Sequence, residues 1–308
     1  MKLYPQPSSW RSLLLLCATL VLLAACDGMP EDEFSVDVPQ TGNHDEWTAI
    51  IDVEWTIEAG SEEFLCALVT VEEDIYIRGF QAAAPYGTHH TVLTVTQPTG
   101  PDRVFPCDPG TLSDAMIFAS GFGTDDLIFP EGVAIRIPAG KQLLLNLHLL
   151  NATPGPLSGR SGTRIKTLPA DEVVAEAEVV FAGTATFAIP PHSEASATGS
   201  CVFEQDATLL SLWPHMHQLG RHMVVEHYTA DGVSTLHDEP FDFVDQLNHP
   251  IEPLTVRAGE RIDVTCIWNN TTAETVRYGD TSSEEMCFVG LYRYPAFSRG
   301  LYCDIPGF

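Results

Sequence analysis

Residues 209–225 read LLSLWPHMHQLGRHMVV, an apolar run interrupted by His215 and His217. In an extended strand side chains alternate faces, so the two imidazoles project together while Met216 points away. Two imidazoles at that spacing can share one metal ion. Imidazole suits copper, zinc, iron or nickel, so the pair alone does not name the metal. Upstream, APYGTHHTVLTV carries His89 next to His90. Adjacent strand residues face opposite sides, so a shared ion needs a bent backbone, which Gly87 permits, or Nδ1 from one ring and Nε2 from the other. His148 stands in the apolar run LLLNLHLLN. A lone histidine there is ordinarily a hydrogen-bonded core residue, and only its company makes it a ligand. In TSSEEMCFVGLYRY, Met286 precedes Cys287, so the thioether and the cysteine sulfur face opposite sides of a strand. A thioether is a soft donor that favours Cu(I) and seldom serves zinc.

These donors need elements to hold them. Short apolar or alternating runs recur along the chain, among them TAIIDVEWTI, DIYIRGFQAA, TVLTVTQ, VAIRIPAGKQLLLNLHLLN and LTVRAGERIDVTCIWNN. Val, Ile, Thr and aromatics dominate them and Gly, Pro, Asn and Asp break them, while capped helical periods are nearly missing. The expectation is an all-β chain of two consecutive antiparallel β-sandwich, jelly-roll-like domains with a cleft between them, where ligands commonly bind. PADEVVAEAEVVFAG, helical by composition, is expected to be a strand because EAEVVF alternates. The fourth and fifth of the runs quoted above echo each other as strand, Ala-Gly turn, strand and Asn-ended exit. They place one site-bearing domain over 46–165 and another over 166–308, with a boundary in the Pro/Gly/Ser-rich stretch near 152–170.

Residues 1–25 read as a signal segment: Lys2 and Arg11 are followed by an apolar run from Ser12 to Leu23, short for a membrane span. The stretch LLAAC resembles a bacterial lipobox, which makes Cys26 the lipidated first residue of the mature protein and residues 26–45 an acidic, flexible tether. The expected location is therefore outside the cytoplasm, anchored by lipid to a bacterial membrane on its periplasmic or surface face. With 42 acidic against 15 basic residues and a formal charge of −27, the chain lacks the cationic surface that nucleic acid requires. Its acidity reads as solubility. Beyond Cys17 and Cys26, six of the eight cysteines remain: Cys66, Cys107, Cys201, Cys266, Cys287 and Cys303. In an exported chain they imply disulfides, in any of fifteen connectivities. None forms a C-x-x-C pair, so thioredoxin-like or zinc-ribbon chemistry is not expected.

The donors in chain order are His-His, a lone His, His-x-His and Glu-Met-Cys. In that order they resemble the copper type II, ascorbate-dependent monooxygenases, the family of the peptidylglycine α-hydroxylating and dopamine β-hydroxylating enzymes. The resemblance covers roughly residues 47–303. It implies an electron-donating copper on His89, His90 and His148 and an oxygen-activating copper on His215, His217 and Met286, the last three being catalytic. It also implies the disulfides Cys66–Cys107, Cys266–Cys287 and Cys201–Cys303, which use every remaining cysteine. The implied cofactors are two copper ions per chain, with O2 and with ascorbate or an equivalent reductant as co-substrates. The implied reaction is R–H + O2 + 2 electrons + 2 protons → R–OH + H2O on a small organic molecule. Asn146 occupies the place of a family Gln, with a hypothetical part in carrying electrons between the sites.

The departures bear on substrate. Trp213 stands where the peptide-amidating branch has a carboxylate-binding Arg, and Phe288 and Gly290 replace its Asn and Tyr assistants. The expected partner is a small molecule without that carboxylate clamp. The alternative is a non-catalytic copper-binding or copper-delivery lipoprotein on the same scaffold. His44, His192, His222, His227, His237 and His249 are expected to be structural or solvated. Residues 283–285 (SEE) read as a solvated face. The Asn-x-Thr sequons at Asn151, Asn269 and Asn270 read as idle.

Overall fold

The computed structural model describes residues 44–111, 115–121, 124–243, 247–279, 281–298, 300–303 and 305. The signal segment, Cys26 and the tether up to residue 43 lie outside them. In the first half the strands are β1 Thr48–Ile57, β2 Glu62–Thr70, β3 Ile75–Ala83, β4 Thr88–Thr96, β5 Arg103–Pro106, β6 Ala115–Gly121, β7 Leu127–Ile128, β8 Val133–Ile137, β9 Gln142–Leu150 and β10 Leu157–Thr167. In the second half they are β11 Ala175–Glu176, β12 Glu178–Gly183, β13 Ala188–Ile189, β14 Ser193–Val202, β15 Ala207–His215, β16 Gly220–Thr229, β17 Gly232–Pro240, β18 His249–Val256, β19 Arg261–Asn270, β20 Val276–Arg277 and β21 Phe288–Tyr294. A 3-10 turn at Ala170–Glu172 separates the halves, and no helix among the described residues is long and apolar enough to cross a membrane. The chain is all-β, as the period-two runs predict.

The strands divide into five sheets. In the first half the sheets are β1-β10-β3-β8, with β7 at its side and β11 of the second half paired to β8, and β5-β2-β9-β4-β6. In the second, the sheets are β12-β21-β15-β18, β14-β19-β16-β17 and the separate pair β13-β20. One apolar cluster takes residues from both first-half sheets and continues into the second half through Phe181, Trp213, Phe288 and Tyr292. A second cluster fills the space between the two larger second-half sheets around Met216, Met223 and Trp268.

β9 explains how an apolar run presents polar groups. It is the middle strand of its sheet and buried over nearly its whole length. Leu143, Leu145, Leu147 and Leu149 point into the main cluster. The alternate face carries Gln142, Leu144, Asn146 and His148.

Within the stretch near 152–170, where the sequence places the domain boundary, Leu157–Thr167 is a strand hydrogen-bonded to both β1 and β3. Its small residues serve close packing, since a Cβ on Gly162 would lie 2.1 Å from the Ile51 carbonyl oxygen. The tether ends earlier than residue 45, because His44 hydrogen-bonds Thr167 and Asp45 pairs with Arg78.

The internal echo is repeated in atomic detail. Asn151 and Asn270 are both fully buried. Each donates from Nδ2 to three carbonyls: Ile57, Glu58 and Gly155 for Asn151, and Ile189, Pro190 and Glu274 for Asn270. Each accepts at Oδ1 from the backbone and hydroxyl of the threonine two residues on. The sequon form therefore belongs to two structural staples closed to modification in the folded chain. Replacing Asn270 by Ala is expected to destabilise the protein by about 2–3 kcal/mol, because buried carbonyls lose their donor. Urea denaturation reads that directly.

Candidate metal centres

The first cluster is built by sheet register. His90 and His148 are direct partners across β4 and β9. Directly opposed residues share a face, so both rings point the same way. The register shifts between Thr88 and His90, leaving His89 as an extra residue in a β-bulge. The turn before it passes through Gly87 at φ +101°, a conformation that side chains disfavour. This bulge is the bend required if His89 and His90 are to serve one ion. The Nδ1 atoms converge, 3.0 Å between His89 and His90 and 3.4 Å between His90 and His148. Two nitrogens bound to one ion at the roughly 2.0–2.1 Å usual for imidazole on zinc, at near-right or tetrahedral angles, are separated by about that much.

β2, on the other side of β9, supplies the supporting residues. Phe64 stacks on His148 with ring centroids 4.3 Å apart, and the Glu62 carboxylate lies 2.6 Å from His148 Nε2. With Nε2–H donated to Glu62, the Nδ1 lone pair of His148 is left facing its neighbours. Burial, reinforced by the nearby His148, lowers the His89 pKa to about 4. Burial also holds His90 well below the usual value and lowers His148, where Glu62 opposes the shift. All three are thus neutral at pH 7, as ligation demands. An imidazole depressed in the folded state stabilises the fold above its unfolded value of 6.5, and that contribution is lost as pH falls through the folded value. The metal-free protein is therefore expected to weaken between about pH 6.5 and 4, with His89 alone accounting for about 2 kcal/mol once partial solvent screening is allowed for. Denaturation midpoints across that range should fall steeply in the wild type and less steeply in His89→Ala.

The second cluster forms where β15 ends. Met216 is fully buried in the second-half core, so His215 and His217 project to the opposite side, with perpendicular rings 5.3 Å apart. His217 Nδ1 lies 3.1 Å from the Glu284 carbonyl oxygen, and donating its proton there fixes the ring's tautomer. Met286 is half-buried and lines the same cavity as both rings. Cys287, the next residue, is tied to Cys266 in β19. The other two disulfides are Cys66–Cys107 and Cys201–Cys303, so all three pairings implied by the resemblance are present.

The residue that sequence reasoning missed is Glu285. Far from being solvated, it is fully buried. Its Oε1 accepts from the Leu219 backbone at 2.6 Å, and Oε2 accepts from the His217 backbone, Trp268 Nε1 and the Met286 backbone at 2.9, 3.0 and 3.3 Å. Burial raises its pKa while these donors oppose the rise. One carboxylate thus fixes the backbone of two of the three second-cluster residues. The only sequence signal was its adjacency to Met286.

The two clusters share a cavity of about 390 Å³ lined by His90, His148, His215, His217 and Met286, with His89 just behind. Phe243 stands between them, its ring 5.2 Å from His89 and 6.3 Å from His217. Trp213 faces Gly290 across β15 and β21, and a Cβ on Gly290 would come within 3.1 Å of the indole. Gly290 and Trp213 therefore fit as a pair. Asn146 also lines the cavity, but its Nδ2 donates to the Asp108 and Thr111 carbonyls, holding the loop beside Cys107.

Residues 175–305 match the family model for the C-terminal domain of copper type II ascorbate-dependent monooxygenases. Over that stretch the match supports membership of a copper-dependent family whose reductant is ascorbate and whose oxidant is O2. The matched stretch contains His215, His217 and Met286, whereas His89, His90 and His148 precede it. No curated protein matches the chain. Among solved structures, vicilin from Solanum lycopersicum (tomato) is similar at 8% identity over 80% of this chain and 75% of that chain, with a TM-score of 0.18. That likeness is too slight to carry an argument.

Proposed function

We propose that the chain is a two-copper monooxygenase that hydroxylates a C–H bond of a small, uncharged organic molecule. The observation that carries this reading is that five of the six donors, from four separate segments, line one cavity and the sixth, His89, clusters with two of them. The donor chemistry fits copper: three imidazoles suit several late transition metals, but two imidazoles with a thioether favour Cu(I) over zinc. On this reading copper at the two sites supplies one-electron transfer and the activation of dioxygen. The remaining work belongs to the protein. Glu62 holds the His148 tautomer, the Glu284 carbonyl holds that of His217, and Glu285 fixes the approach of Met286 to the His-x-His turn.

Trp213, Phe181, Phe288, Leu301 and Tyr302 give the cavity an apolar wall beside His215. No Arg, Lys, Asp or Glu lines it among the described residues. A carboxylate substrate would find no counter-charge there, whereas an apolar C–H would be held dry near the second cluster. The two facing sheets of each half read as two sandwiches, 46–165 and 166–308, with the cavity where they meet. The disulfides fit an oxidising compartment, in keeping with export and a lipid anchor at Cys26 on a bacterial membrane.

The test is stoichiometric. Purified mature protein should bind two coppers per chain at these donors, both lost in His89→Ala/His148→Ala/His217→Ala. With ascorbate it should consume one O2 for each hydroxylated product found by untargeted comparison against Met286→Leu. Copper binding with no coupled product would reduce the chain to copper storage or delivery.

A further inference from the structure

Outside the two clusters, His44, His222 and His227 are accounted for by hydrogen bonds to Thr167, Asp238 and Glu260, and His192 is exposed. His237 and His249 are not so accounted for. His237 is only 9% exposed, and its ring meets that of His249 with centroids 4.9 Å apart at 66°. No hydrogen bond from another described residue reaches either imidazole, so their nitrogens are open to an ion. Glu239 lies two residues beyond His237 on β17 and so on the same face. One donor atom from each of His237, Glu239 and His249 falls within 4.8 Å of the others.

We propose that His237, Glu239 and His249 form a third metal site, for a borderline divalent cation of the Zn2+ or Cu2+ type, that clips the open edges of two sheets together. Two imidazoles and a carboxylate are a common donor set for such ions, and solvent at the exposed Glu239 side completes the coordination. The site's position supplies its purpose. β17 is the edge of the β14-β19-β16-β17 sheet and β18 is the edge of the β12-β21-β15-β18 sheet. Between the edges the chain runs from Pro240 to His249, carrying the Phe243 that touches His89 and His217. An ion on these donors ties both ends of that segment, one through Glu239 and the other through His249. Leu236, beside His237, is an extra residue where the β16–β17 register shifts, a local bend of the kind that re-aims a side chain.

The experiment uses the full mature chain, stripped of metal and titrated with Zn2+ alone against a chromophoric chelator. Bound metal is then counted and thermal melting followed. The double variant His237→Ala/His249→Ala should bind one equivalent fewer than wild type and lose part of the Zn2+-induced rise in Tm. A variant emptied of the other donors, His89→Ala/His148→Ala/His217→Ala, should keep this equivalent, so failure here and failure of the copper assignment are read separately. Glu239→Gln, an exposed change that leaves packing intact, should weaken the site by about tenfold or more. Equal metal content in wild type and His237→Ala/His249→Ala, or unaltered affinity in Glu239→Gln, would overturn the proposal.

Discussion

Glu285→Ala is expected to destabilise the protein by about 3–5 kcal/mol and to empty the second cluster while the first keeps its metal. Three backbone N–H groups and the Trp268 indole converge on this carboxylate in a site closed to water. Removing it leaves four buried donors without an acceptor, each of which bears a desolvation cost. The geometric loss is separate from the energetic one. His217 and Met286 are 69 residues apart in sequence by their numbers, and Glu285 is the one side chain hydrogen-bonded to the backbone of both. Glu285→Gln distinguishes the two effects. The amide keeps the volume and one accepting oxygen but turns an N–H toward donors, so part of the stability returns and the anchoring does not. Guanidinium denaturation with copper counting on both variants measures this. Full occupancy of the His215/His217 site in a folded Glu285→Ala protein would refute the anchoring role.

Met286→Leu should abolish coupled hydroxylation, lowering the turnover rate more than about 100-fold, while barely touching stability. Leucine has nearly the same volume, and such swaps in a core usually cost less than about 1.5 kcal/mol. The substitution therefore removes the sulfur and little else. Loss of a group that only supports a ligand commonly costs about 10–100-fold, and loss of the ligand itself costs more. Copper on His89, His90 and His148 should persist, since that cluster takes nothing from Met286. If Met286 merely fills a gap against the apolar cluster it also touches, Met286→Leu will turn over at the wild-type rate.

Much of the site is legible in residue types and spacing. His-x-His at strand spacing, Met beside Cys and the Gly before His-His each report which way a side chain points from one local period. The six paired cysteines and the two Asn-ended echoes can be counted directly. The reading of SEE as a solvated face failed for a physical reason: adjacency to Met286 says nothing about burial. Glu285 went inside because its donors, the Leu219 and His217 backbones and the Trp268 indole, arrive from other segments. In the Pro/Gly/Ser-rich stretch near 152–170, small residues allow β1 to approach β10 closely, which composition alone does not reveal.

The amino-acid sequence alone determined the all-β character, the residue types of the six candidate donors and the number of cysteines free to pair, because these depend on residue type and on short-range alternation. Only the tertiary structure decided that a bulge at His89 turns adjacent rings to one side, that Phe243 lies between the clusters, and that Trp213 fits over Gly290. Those relations join segments tens to well over a hundred residues apart, and strand register and packing set their distances, for which no local pattern carries a signal.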